Sequence, residues 1–330
     1  MKKALLLGGA GFIGLNIVKQ LLEKEKYKIT IADNFFRGKK DETLKKLTDH
    51  PNVQIISADL TKRSAFDQFD DEYDHVYMLA SVVGVKYTEE MPHEIIRINT
   101  LLILNTLEWL KTISSEKVLF TSTSECYAGS IEAFDYTIPT PEEVPLCIED
   151  ITHPRFTYAV TKMLGESGFI NYSRNHDFES VIIRYHNIYG PRMGFKHVIP
   201  EVAQRLYEKE EPFKIYGYDQ TRAFCYIDDA VRATVLAMEK DTNGEIFHVG
   251  NMKDELHIEQ LIKYMGKLHG YEGEYELVAA PSGSVSRRCP DISKAQNILG
   301  YNPQMDWKEG VKKTYEWYVD YLESGKDVFE

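Results

Sequence analysis

One string near the N-terminus restricts the fold more than any other. Four apolar residues, Ala4-Leu5-Leu6-Leu7, run straight into Gly8-Gly9-Ala10-Gly11-Phe12-Ile13-Gly14. A short apolar run bounded by glycine is the mark of a strand buried on both faces, as in the interior of a parallel sheet. Glycines at 8, 11 and 14 allow a tight strand-to-helix turn and a close backbone approach to a ligand. The same alternation continues downstream. Strands are predicted at 4–7, 28–32, 53–57, 75–79 and 118–121. Helices are predicted at 12–23, 42–47, weakly after Ser64, and at 92–111, where Ile95, Ile98, Leu101, Leu102, Trp109 and Leu110 follow helical spacing. Strand–helix alternation means β-α-β units with right-handed crossovers, hence an α/β, doubly wound parallel sheet of Rossmann type with its ligand crevice at the strand carboxyl ends.

Beyond residue 125 the pattern changes. Residues 128–157 carry Pro139, Pro141, Pro145 and Pro154 with little periodicity, and are expected to form a loop leading over the mouth of the site. A helix at 158–175 and a strand at 181–185 complete a domain over 1–190. Residues 191–330 are expected to form a smaller substrate-binding lobe, with chain crossings between the lobes. Its predicted helices lie at 200–207, 229–239, 258–268, 292–299 and 307–322, and its strands at 213–216 and 246–249.

Composition narrows the function classes. The 330 residues are 43% hydrophobic and 27% charged, so a folded globular protein is expected. The net charge of −12 argues against nucleic-acid or acidic-membrane partners. Cys126, Cys147, Cys225 and Cys289 are too scattered for a metal site or a disulfide framework. A reducing, cytoplasmic setting is the default, and neither a signal peptide nor a membrane-spanning stretch is read from the chain.

The glycine turn in its strand–helix context points to a dinucleotide, with the pyrophosphate on the free N–H groups at the helix start. Asp33 ends the next strand, where a carboxylate can accept both adenosine-ribose hydroxyls and repel a 2′-phosphate. NAD is therefore preferred to NADP, although Arg37 stands near enough in sequence to meet such a phosphate. Asp59, after the third strand, is placed near the adenine. A second motif handles protons. Tyr158 and Lys162 are i and i+4 and share a helical face. A free tyrosine titrates near 10, and a neighbouring ammonium together with a cationic nicotinamide is expected to lower it. Lys162 is also positioned to hold the nicotinamide ribose. Thr123, at the end of a buried strand, supplies a hydroxyl for the reacting oxygen.

These motifs are part of a longer resemblance. GGAGFIG at 8–14, ADL at 58–60, LAS at 79–81, TSTSECYA at 121–128, YAVTK at 158–162, RYHNIYGPR at 184–192, IYGYDQTRAFCYIDD at 215–229 and RRCPDISKAQNILGYNP at 287–303 resemble the extended short-chain dehydrogenase/reductases of the nucleotide-sugar epimerase/dehydratase family. The resemblance implies NAD held through the reaction by Gly8, Gly11, Phe12, Ile13, Gly14, Asp33, Asn34, Arg37, Asp59, Leu60 and Ala80, with Tyr158 and Lys162. It implies a catalytic set of Thr123, Tyr158 and Lys162 with Glu125, and substrate contacts from Ser124, Asn187, Arg222 and Arg288, the arginines on a diphosphate. It also implies a homodimer, or a higher homo-oligomer, through the helices at 92–111 and 158–175.

Members of this family oxidise C4 of the sugar first, and Glu125 bears on the fate of the resulting ketone. An acid here is found in 4,6-dehydratases, where it removes the C5 proton. Ser124 in place of a second acid matches GDP-mannose dehydratases rather than dTDP-glucose dehydratases. Ser122-Thr123-Ser124-Glu125 and Gln220-Thr221-Arg222 are also shared with UDP-glucuronate decarboxylases, whereas simple 4-epimerases have small or uncharged residues at the Glu125 position. His186 has two readings, substrate contact or hydrogen-bonded structural histidine, of which the second is preferred. The expectation is oxidation at C4 of a GDP- or UDP-hexose or heptose to a 4-keto sugar, by a C4 dehydrogenase or a 4,6-dehydratase. A 4-epimerase, then a decarboxylase, is the alternative, and a non-catalytic binding protein comes last.

Overall fold

The computed structural model describes residues 1–280 and 285–329. The first half runs β1 (Lys2–Leu7), α1 (Phe12–Glu23), β2 (Tyr27–Asp33), α2 (Glu42–Thr48), β3 (Val53–Ser57), β4 (Glu72–Met78), α3 (Val85–Glu90), α4 (Pro92–Leu110), β5 (Ser114–Thr123), α5 (Ala128–Phe134), α6 (Thr157–Ser173) and β6 (Glu179–Tyr185). The second half runs β7 (Ile188–Tyr189), α7 (Val198–Tyr207), β8 (Phe213–Tyr216), β9 (Thr221–Ala223), β10 (Cys225–Tyr226), α8 (Ile227–Glu239), β11 (Glu245–Val249), β12 (Glu255–His257), α9 (Ile258–His269), β13 (Tyr275–Val278), β14 (Arg287–Arg288) and α10 (Trp307–Glu323).

Seven strands form one sheet in the order β11-β6-β5-β4-β1-β2-β3, and every pairing in it is parallel. The fold is thus the doubly wound α/β sheet that the strand–helix alternation implies. Order reverses between β1 and β4, which opens a crevice at their carboxyl ends. Successive side chains of β1 point to opposite faces. Ala4 and Leu6 join the core under α1 and α8, while Leu5 and Leu7 join the core under α4 and α6, all fully buried. Burying each such leucine contributes about 1.5–3 kcal/mol.

The sheet also draws on the second half of the chain. β11 comes from beyond residue 190, yet it is the edge strand beside β6, and α8 packs on α1. Most predicted elements lie within a few residues of the observed ones. The helix predicted at 292–299 is found over residues 293–299, with Ala295–Leu299 wound as a π-helix and closed by Gly300 in the left-handed conformation. The short α3 and the two-to-four-residue strands β7, β9, β10, β12, β13 and β14 have no counterpart in the periodicity. Segments this short gain their order from tertiary pairing and leave no repeat to detect.

The segment 128–157 differs from the expected loop. It starts with α5, ends in a 3₁₀ turn at Pro154–Phe156, and is anchored to β6, β11 and residues 289–291. The Thr140 N–H donates to the Cys289 carbonyl (3.0 Å) and the Thr140 carbonyl accepts from the Asp291 N–H (2.8 Å). The Glu142 carboxylate accepts the His248 N–H at 2.8 Å, and the Glu142 carbonyl accepts from Arg184 at 2.9 Å. Arg184 in turn forms a buried two-point pair with Glu166 of α6 (2.7 and 2.8 Å), and Ser122 of β5 donates to the same carboxylate. One buried pair therefore ties β5, β6, α6 and the 128–157 segment together directly behind the site. Removing one member strands a buried charge, so Glu166→Gln is expected to lower unfolding free energy by roughly 3–5 kcal/mol in urea titration.

Candidate active site

A cleft of about 670 Å³ opens at the carboxyl ends of β1, β2, β4, β5 and β6. Its floor is the glycine turn. Gly8 has φ +85°, and a Cβ there would lie 2.6 Å from the Ala80 backbone. A Cβ on Gly14 would lie 2.6 Å from the Gly9 backbone, so the first turn of α1 packs on the loop before it only without a side chain. No side chain caps α1 at Gly11, and no acidic residue sits in its first turn, which leaves its N–H groups and positive end for an anion. Asp33 is buried, and its two oxygens accept the N–H groups of Ala10 (3.0 Å) and Phe35 (2.8 Å). Burial pushes its carboxyl up, opposed by those two donors and by Arg192. Each carboxylate oxygen keeps a further lone pair for a hydroxyl. Asn34, Arg37, Asp59, Leu60 and Ala80 line the same cleft, with Gly8, Gly11, Phe12, Ile13 and Gly14. Asp59 also accepts from Thr61 (2.7 Å) and pairs with Lys62 (3.5 Å).

Thr123, Tyr158 and Lys162 face this cleft together, from β5 and the first turns of α6. Lys162 is buried and donates to the Thr121 carbonyl at 2.8 Å, with its ammonium 4.8 Å above the Phe120 ring centroid. Burial pushes this ammonium down to about 8. The ammonium stands 5.6 Å from the centroid of the Tyr158 ring. In the protein alone, burial first and then the neighbouring Cys126 and Glu125 push the Tyr158 phenol up, opposed by Arg37. Lys162 gives one of its three N–H donors to Thr121, and desolvation of the phenolate is the largest influence on Tyr158.

Glu125 lies between guanidiniums. Arg288 donates to it at 2.7 Å, and Arg155 stands 3.7 Å away. Burial would raise this carboxyl, but Arg288, Arg155 and Arg222 together hold it below the usual range, so it is ionised at neutral pH. Nη2 of Arg288, itself buried, has no hydrogen-bond partner among the described residues. Ser124 is buried beside Glu125 and lines the cleft. Asn187 also lines it, with φ +44° and its amide on the Ala223 carbonyl at 3.2 Å. Arg222 does not line the cleft. It is the register partner of Arg288 across β9 and β14, but its guanidinium is spent on the carbonyls of Val285 (2.6 Å) and Thr221 (2.7 Å) and on the Gln220 side chain (2.9 Å). His186 lies behind the site rather than in it: fully buried, with Nε2 2.9 Å from the Tyr127 hydroxyl and its ring 4.7 Å from that of His248.

Residues 4–250 match the model of the NAD dependent epimerase/dehydratase family. The chain belongs to that family. It is an NAD-dependent enzyme, and the glycine cradle, the uncapped α1 and Asp33 fit that cofactor. It is 32% identical over 327 residues to UDP-N-acetyl-alpha-D-glucosaminuronate decarboxylase of Bacillus cytotoxicus, covering 96% of this chain and 98% of that one. It is 34% identical to UDP-glucuronic acid decarboxylase 6 of Arabidopsis thaliana, over 94% and 86% of the two chains. Among solved structures, UDP-glucuronic acid 4-epimerase from Bacillus cereus, in complex with UDP-glucuronic acid and NAD, superposes with a TM-score of 0.84. That pair is 27% identical, covering 97% of this chain and 99% of the other.

Three further cleft residues of the enzyme are assigned no role by the sequence reading. Arg155 is the lone lysine or arginine between 128 and 157, and that isolation among acids was its signal. His197 precedes α7 and lines the cleft, its imidazole held down to about 4 by burial and by Arg37. Arg192 ends the 184–192 motif and lines the cleft as well. No described helix of the enzyme is long and apolar enough to cross a membrane.

Lys162 yields a test of site against stability. Its folded value, about 8, lies below the ordinary 10.5. Below pH 8 the buried ammonium therefore costs stability. Between 8 and 10.5 the unfolded chain binds more protons, so stability rises with pH until the penalty is gone. Lys162→Met removes the charge but strands the Thr121 carbonyl. It is expected to stabilise the NAD-free enzyme by about 1–2 kcal/mol at pH 7, a gain that shrinks toward pH 10.5 in denaturant titrations.

Proposed function

We propose that the enzyme decarboxylates a UDP-activated uronic acid through a 4-keto intermediate. The observation that carries this reading is the ionised Glu125 held between Arg288 and Arg155 at the end of β5, beside Thr123 and Tyr158. NAD, held by the glycine turn and Asp33, would supply reversible hydride chemistry at C4 of the sugar. Tyr158 takes the C4 hydroxyl proton, and Thr123 hydrogen-bonds the same oxygen. A cationic nicotinamide beside Tyr158 opposes the burial that raises its phenol, and Lys162 adds a second cation on the same helix.

The 4-keto uronate is a β-keto acid. Its C5–C6 bond breaks with the electron pair moving to the C4 oxygen, and CO₂ leaves. A proton from solvent is then added at C5. Return of the hydride to C4 and of the Tyr158 proton to its oxygen gives a UDP-pentose, with no net oxidation. Arginine suits both the diphosphate and the carboxylate. Glu125 offsets part of that positive charge, so the C6 carboxylate is oriented without being held too tightly to react. The relatives named as decarboxylases of UDP-uronic acids support uridine as the base.

Dehydration receives less support. It needs a protonated acid for the departing hydroxyl, and the two residues after Thr123 are a serine and an ionised glutamate. Net C4 dehydrogenation needs a separate acceptor for the hydride. A 4-epimerase shares the first step, and the solved neighbours named as epimerases favour it as the second reading.

Mass analysis of UDP-glucuronate, UDP-N-acetylglucosaminuronate and UDP-glucose after incubation separates these outcomes. Loss of CO₂ from a uronate is expected. An unchanged mass with inverted C4 means epimerisation, and loss of water means dehydration. Tyr158→Phe is expected to retain NAD and to lower turnover by about 10²–10⁴-fold.

The enzyme is also proposed to dimerise through α4 and α6, which pack on each other in one protomer. Their outward rows expose Ile96 (47%), Leu104 (42%), Val160 (36%) and Leu164 (41%), apolar side chains that a second copy would cover. Light scattering on a sizing column is expected to give a dimer for the parent and a monomer for the Leu104→Glu/Leu164→Glu variant.

A further inference from the structure

Arg192 makes a set of contacts that the reaction does not use. It follows β7, outside the glycine turn and the β2 loop, yet its guanidinium reaches both. Nη1 donates to the Ala10 carbonyl at 3.2 Å, Nη2 to the Lys39 carbonyl at 3.1 Å, and Nε to the Asp41 carboxylate at 2.6 Å. The side chain is buried, and its backbone holds φ +73°, a left-handed conformation that costs a non-glycine residue about 1–3 kcal/mol. Such strain persists only where the surroundings impose it.

The contacts close a ring around one edge of the cofactor cleft. The Asp33 carboxylate accepts the Ala10 N–H, and the Ala10 carbonyl accepts from Arg192. Arg192 then holds Asp41, which caps α2 through the Leu44 N–H at 2.9 Å. Between Asp33 and Asp41 lies the loop 34–40, whose Asn34, Phe36, Arg37, Gly38 and Lys39 line the cleft. That loop sits flat on the glycine turn: a Cβ on Gly38 would lie 2.8 Å from the Ala10 Cβ. Its outer side is held separately. The Lys39 ammonium lies 4.2 Å from the centroid of the Phe329 ring, and the Phe329 carbonyl accepts the Phe195 N–H at 2.8 Å.

We infer that Arg192 is a positioning residue for the cofactor: it clasps the 34–40 loop to the glycine turn, so that the adenosine half of NAD is bound by a preformed wall and released slowly. A loop ordered before binding costs less entropy at binding, and affinity rises accordingly. Three donors fixed in one plane suit arginine and not lysine.

The test is NAD itself, read by titration calorimetry and by the NAD that remains with the purified protein. Arg192→Ala is expected to bind NAD at least about 10-fold more weakly, equivalent to about 1.4 kcal/mol, and to lose its co-purifying NAD. The melting temperature of the NAD-free protein is expected to stay close to the parent's. Arg192→Lys is expected to recover only part of the affinity. Asp41→Asn keeps the cap on α2 but removes the charge that Arg192 holds; it is expected to weaken NAD in the same direction, and it decides the matter if Arg192→Ala does not fold. Unchanged NAD affinity in Arg192→Ala, or in Asp41→Asn where that variant decides, overturns the inference. So does a loss of affinity matched by an equal loss of NAD-free stability, which would make Arg192 a structural residue only. None of these readings depends on which sugar the enzyme takes.

Discussion

A missing methyl group at two positions holds the cofactor half of this enzyme together. Gly8 and Gly14 let β1 turn into α1 with backbone against backbone at distances no side chain tolerates. That turn sets where the N-terminus of α1 points, and therefore where a pyrophosphate can sit. It also places the Ala10 N–H on Asp33 and the Ala10 carbonyl under Arg192. The placement of Asp33 and of the 34–40 loop thus depends on the same few backbone atoms. Substitution there would disturb the sheet and the site in one step.

The region around Glu125 is organised by charge. Three arginines surround one glutamate in a chain whose net charge is −12. The basic site is a local exception to an acidic protein, which suits an anionic substrate and discourages anionic macromolecules elsewhere on the surface. The guanidiniums come from three places: the 128–157 segment, β9 and β14. Strand pairing between β9 and β14 sets Arg222 and Arg288 side by side, while the backbone carbonyls around Arg222 divert it from the cleft. Behind them, the Arg184–Glu166 pair fixes α6 against β5 and β6, so Tyr158 and Lys162 are carried on a rigid support.

By itself the sequence determined much of this. The strand–glycine–helix unit, the alternation over the first 125 residues, and the i, i+4 pair Tyr158–Lys162 are local patterns, fixed by backbone sterics and helical period, and each is found where those rules put it. Asp33 at the end of β2 comes from the same strand pattern. The family motifs spread the reading over the second half, where periodicity is weak.

Only the tertiary structure decided the rest, because it depends on residues that meet across long sequence separations. Nothing local says that β11 returns to the sheet beside β6, that the 128–157 segment is bonded to β6, β11 and residues 289–291, or that Arg192 reaches the glycine turn. The titration of the site belongs here too. Spacing puts Lys162 near Tyr158, but burial raises the phenol, and the lysine ammonium is turned to donate to the Thr121 carbonyl. Desolvation is a property of the packed interior, and a linear string of residues does not contain it.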